Sequence, residues 1–227
     1  MTTRLLRIAA ASALFCAAAS AHALALNLTF GAAGFAVATL SGNAVTPIAN
    51  PVHAGAFVGS LSGNTGFDAS PFYTYCVELT AWAQGAGAQT GYSIVSGDSY
   101  FGNTALDRLG KLFSVLGGAN APANADASAG IQLAVWEAVY EGNNALGLGT
   151  GSFMATSGTA AAVNHANTLL GAVNSFSGPS RYTISVLKNT INQDFVLVKR
   201  VPEPGTLALV ALAGAGLLLR RKAQRTA

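Results

Sequence analysis

Apolar and polar positions alternate along two parts of the chain, with a stretch of helical periodicity between them. Leu26–Phe30, Phe35–Leu40, Ala56–Leu61, Phe72–Leu79 and Gly91–Val95 read as strands, by alternation or by β-rich composition. Tyr182–Val186 and Phe195–Val198 form a closing pair, a hairpin around Lys188–Gln193. The segments between them are rich in Gly, Asn and Ser, as turns require. In the middle, Leu106, Leu109, Phe113 and Leu116 share one helical face, with Thr104 and Asp107 placed as a cap and Gly117-Gly118 as a stop. A second helix is predicted from Asp126 or Ser128 to Glu141, and a third from Ala160 to Phe176. Strands, then helices, then a hairpin predict an α+β fold: an antiparallel β-rich sandwich or barrel with a helical insertion of about three helices.

The two ends follow other rules. Residues 1–23 have a basic start with Arg4 and Arg7, an apolar run from Ile8 to Ala19, and the small-x-small site Ala21-His22-Ala23. That order is a secretory signal peptide with cleavage after Ala23. At the other end, Gly205 to Leu219 is uncharged and is followed by Arg220, Arg221 and Lys222. It predicts a short C-terminal transmembrane helix over 205–219, its basic end held on the cytoplasmic side. The organisation expected is therefore a signal peptide (1–23), one exported body (24–200) and a tail (201–227).

Charge then changes meaning. The chain carries a formal net charge of +3, but residues 24–200 hold six basic and eight acidic side chains. The excess of positive charge belongs to the ends. The body has no cluster of Lys and Arg for a phosphate backbone, so no nucleic-acid partner is expected.

The tail order Pro202-Glu203-Pro204, apolar span, then Arg220 and Arg221 resembles the PEP-CTERM sorting signal. That resemblance implies an exosortase as processing partner. It also implies membrane anchoring through the tail helix, then a cell-surface or extracellular-matrix location linked to biofilm exopolysaccharide.

Most catalytic templates are missing from the body. It has no phosphate-binding glycine loop and no nucleophile elbow. His53 and His165 are isolated, so no metal site is expected, and nothing calls for a cofactor. No catalytic set emerges, and an enzyme is not expected. Glu78, Glu137 and Glu141 are the only acids a hydrolase could draw on, and the last two read as a solvated helix edge. Trp82 and Tyr92 read as packing aromatics.

The cysteine count adds one oddity. Cys16 leaves with the signal peptide, so an exported body keeps a single cysteine, Cys76. An oxidising compartment rarely leaves a thiol idle. A buried inert residue and an intermolecular disulfide are both open. A third possibility comes from two short motifs. Tyr75-Cys76 in a predicted strand and Gln132-Leu133-Ala134-Val135-Trp136 in a predicted helix resemble the paired motifs of Cys–Gln thioester domains in bacterial surface adhesins. Ile131 stands where those adhesins often have Thr. The resemblance implies an internal thioester between Cys76 and Gln132, with Tyr75 and Trp136 walling it from water. It implies covalent tethering to a surface or matrix protein or polysaccharide. On helical spacing alone, Gln132 is an ordinary residue beside a core stripe of Ile131, Val135 and Val139.

Overall fold

The computed structural model describes residues 24–202 apart from 31–33, 45, 64–66, 68, 85, 143–144 and 158. The expected signal peptide and the expected tail helix at 205–219 lie outside the described residues. So do Glu203, Pro204, Arg220 and Arg221. No helix among the described residues is long and apolar enough to cross a membrane.

Among the described residues, nine strands and four helices follow one another. The first six strands are β1 (Leu24–Phe30), β2 (Ala36–Gly42), β3 (Val52–Ala54), β4 (Phe57–Leu61), β5 (Ala69–Thr74) and β6 (Gly87–Ser96). Then come a single helical turn α1 (Gly97–Tyr100), α2 (Asn103–Leu116) and α3 (Ala125–Tyr140). β7 (Phe153–Ser157), α4 (Ala160–Asn174), β8 (Tyr182–Lys188) and β9 (Phe195–Arg200) complete the body. The α+β class and the three longer helices agree with the sequence pattern. β3 and β7 were not predicted.

One sheet has the order β5-β4-β1-β6-β8-β9, and a smaller one has the order β3-β2-β7. Every pairing in them is antiparallel. The predicted strand Phe72–Leu79 is broken. The ladder with β4 ends at Thr74, and the next residues cross to the far edge of the same sheet. There Val196 N–H donates to Tyr75 O (3.0 Å) and Val77 N–H donates to Asp194 O (3.1 Å). Cys76 faces Phe195 between these two bonds. The large sheet therefore closes on itself through this one bridge. Phe57, Tyr92 and Phe195 meet inside the closure, with centroids 5.1 and 6.2 Å apart.

α3 is the central helix. Every residue from Ser128 to Ala138 is buried, because α2, α4, β7 and the short β2–β3 pair all pack on it. Gly130 permits the crossing with α4: a Cβ there would come within 2.8 Å of Ala162 O and of the His165 ring. Asn124 caps α3 by accepting from Ala127 N–H (2.9 Å), so Asp126 and Ser128 are first-turn residues and not caps. Thr104 does not cap α2 either. The helix begins after Gly102 with no side-chain cap, and Asp107 instead pairs with Lys111 one turn on (2.7 Å). The predicted stop is met, with Gly117 left-handed at φ 73°.

Candidate functional site at Cys76 and Gln132

In an antiparallel pair, successive residues turn their N–H and C=O alternately toward and away from the partner strand. Tyr75 and Val77 spend theirs on β9, so those of Cys76 point the other way, toward α3. Gln132 meets them there. Cys76 N–H donates to Gln132 Oε1 (2.9 Å), and Gln132 Nε2 donates to Cys76 O (2.9 Å). The carboxamide thus completes the ladder as a neighbouring strand would. Gln132 is fully buried and Cys76 is buried. The two residues that sequence motifs paired across 56 positions are joined by a double hydrogen bond. Burial pushes the Cys76 thiol well above the ordinary thiol range, and the charge of Glu78 adds to it.

Among the described residues the same amide-to-backbone clamp occurs twice more. Asn50 brackets Leu40 (2.9 and 2.7 Å), and Asn174 brackets Leu146 (3.1 and 2.9 Å). The clamp is therefore a structural device of this fold. What sets the Gln132 clamp apart is the thiol on the clamped residue and the space in front of it.

That space is a mainly apolar cleft of about 750 Å³. Cys76 and Trp136 form part of its wall, with Phe35, Phe57, His53 and Glu78 around them. Trp82 stands in the wall with 61% of its surface exposed, so it is not the packing aromatic its sequence context suggests. Tyr92 is buried and does pack. Tyr75 goes to the other side of its strand, where its ring meets Phe113 at 6.4 Å. Of the two aromatics expected to wall the thiol, Trp136 lines the cleft with Cys76 and Tyr75 does not. His53 lines the cleft, whereas His165 lies against Gly130 on α4.

Glu137 and Glu141 correct a second expectation. Both are buried, not a solvated edge. Glu137 Oε1 accepts from Gly147 N–H (2.7 Å). Glu141 Oε2 accepts from Ser152 and Phe153 N–H (2.7 and 3.1 Å). Both carboxylates hold the backbone that leads into β7, away from the cleft. Burial pushes Glu137 up to about 7; the Gly147 bond opposes this and the nearby charge of Glu141 adds to it. The native state therefore binds this proton more tightly than the unfolded chain. Ionising Glu137 costs stability progressively as the pH rises from the ordinary carboxyl range of ~4.3 to about 7. The melting temperature is expected to fall across that window, and Glu137→Gln should flatten the fall in a pH series of thermal melts.

The tail leaves the body without a linker. β9 is paired with β8 up to Arg200 opposite Tyr182, and Val201 N–H still donates to Arg181 O (2.9 Å). Pro202 follows and can donate no further bond. Residues 200–222 match the PEP-CTERM protein-sorting motif.

The PEP-CTERM motif indicates exosortase-dependent sorting of an exported surface protein, with an exosortase as processing partner and a membrane-anchored C-terminal signal. It begins on the last residue of β9, so the motif abuts a folded edge. No curated protein and no solved structure matches the chain.

Proposed function

We propose that the body is a covalent tethering module, built on an internal thioester between Cys76 Sγ and Gln132 Cδ. The observation that carries this reading is the Gln132 carboxamide, locked by two 2.9 Å hydrogen bonds across a cysteine that lines an open cleft. Condensation needs reacting groups held close and oriented, and the clamp fixes the carboxamide against the backbone of the residue that carries the thiol. Sγ attacks Cδ, the C–N bond breaks, and Nε2 leaves as ammonia carrying the thiol proton. The product is an acyl thioester, and Cys76 N–H remains on its carbonyl oxygen. A nucleophile entering the cleft then takes the acyl group, and the thiol is regenerated. Each molecule reacts once, so the chain is not an enzyme in this reading. With exosortase sorting, the acceptor is a surface or matrix protein or polysaccharide of a biofilm, and the protein is an adhesin.

Intact mass tests the proposal. The wild-type body should weigh one ammonia less than its sequence requires, and Cys76→Ala should restore the full mass. A full mass with a titratable thiol in freshly prepared wild type rejects the thioester.

One observation favours a second reading, a non-covalent matrix or carbohydrate-binding module. Trp82 offers an exposed ring beside Glu78 at the cleft, an arrangement suited to stacking against a sugar face. Retention on immobilised polysaccharide by Cys76→Ala, lost in Trp82→Ala, would support it.

A further inference from the structure

Three buried side-chain atoms have no hydrogen-bond partner among the described residues: Tyr75 Oη, Trp136 Nε1 and Glu137 Oε2. Of the three residues, only Trp136 lines the cleft. Trp136 is 3% exposed, and a buried indole N–H ordinarily finds an acceptor. Leaving one unpaired costs stability. Its place on α3 suggests what it is kept for. Trp136 follows Gln132 by one helical turn, and side chains on a helix lean toward its N-terminus. Trp136 and Gln132 thus share one face of α3. In the ground state, Gln132 Oε1 is served by Cys76 N–H alone among the hydrogen bonds described.

We propose that Trp136 Nε1–H is the second oxyanion donor of the thioester centre, engaging the Gln132 oxygen when Cδ becomes tetrahedral. The inference rests on the thioester reading. Attack on Cδ moves a pair of electrons onto Oε1 and displaces that oxygen from the amide plane. Cys76 N–H keeps its bond to it, and the indole N–H gains one. A donor unused before reaction and used during it stabilises the transition state selectively. The same donor serves both steps, since ammonia loss and acyl transfer pass through the same kind of tetrahedral carbon.

The test compares the full-length wild type with Trp136→Phe, which keeps an aromatic ring and removes the N–H. Both are treated with methylamine and followed by intact mass, with melting temperature as a control on packing. Methylamine addition to W136F is expected to be roughly 10²–10³-fold slower, the loss seen when one oxyanion donor is removed, at a near wild-type melting temperature. Incomplete loss of ammonia in W136F at that melting temperature has the same meaning. Should W136F fail to fold, the benzothienylalanine analogue at position 136 replaces N–H with sulfur at nearly constant shape and takes its place. A variant that loses ammonia fully and reacts at the wild-type rate overturns the donor role alone. A wild type of full mass removes the thioester and this inference with it.

Discussion

Gln132→Leu is expected to destabilise the body by about 2–5 kcal/mol, as well as abolishing any loss of ammonia. Leucine fills most of the same volume, so the cost is not a cavity. It arises because Cys76 N–H and C=O, both paired with the carboxamide while it is intact, lose their partner in a buried place, and each orphaned group costs about 1–3 kcal/mol; the reference is therefore Cys76→Ala, in which the carboxamide stays. These bonds also hold the segment that closes the large sheet, since Tyr75 and Val77 on either side bind β9. Urea unfolding of Gln132→Leu beside Cys76→Ala separates the two roles of the site. Cys76→Ala keeps the backbone clamp and should lose far less stability, while both variants should show full mass. Equal stability of Gln132→Leu and Cys76→Ala would mean that the clamp contributes nothing to the closure.

Glu141→Ala is expected to cost about 3 kcal/mol or more, for a related reason. One carboxylate oxygen accepts from two consecutive backbone N–H groups, those of Ser152 and Phe153. Bonds to an ionised acceptor are stronger than neutral ones. The turn is built closely around that carboxylate: a Cβ on Gly151, where φ is 121°, would lie 2.3 Å from Glu141 Oε2. Removing it leaves two donors without an acceptor at the point where β7 starts to pair with β2. Glu141→Gln keeps an acceptor and should lose less. Amide exchange at Ser152 and Phe153 should rise sharply in Glu141→Ala before the rest of the body responds. Protection unchanged from wild type would contradict this account.

The sequence pattern located several long elements because each buries one face or one stripe. β4, α2 and α4 follow that rule within a few residues, whereas β8 and β9 bury consecutive residues and stand out by their β-rich composition. β3 has only three residues and β7 only five, too few for alternation to rise above chance. The break after Thr74 was hidden because Tyr75–Leu79 is as β-rich as the strand before it. Only the three-dimensional closure sends it to a new partner. Glu137 and Glu141 looked exposed because acids usually are. Their burial depends on a turn at 147–153 whose backbone donors no periodicity reveals. The site was half legible. The motifs paired Cys76 with Gln132 because each is distinctive in type and neighbours. Trp82 and His53 come to the cleft from separate loops and strands, and no local pattern joins them to Cys76. Tyr75 was misplaced because adjacent strand residues face opposite sides.

β9 passes directly from the closed sheet into the sorting motif, and this sets how the body would bear force. In a chain fixed at its tail and bonded through Gln132, tension enters β9 along its own axis. Six registered pairs with β8 hold one side of the strand, and the bonds to residues 75–77 hold the other. Ladder bonds lie across the strand direction, so an axial pull strains them together as a shear instead of opening them one after another. Cys76, the residue Gln132 packs on, lies opposite Phe195 at the start of that strand. In such a chain the load path is short, and most of the body lies outside it.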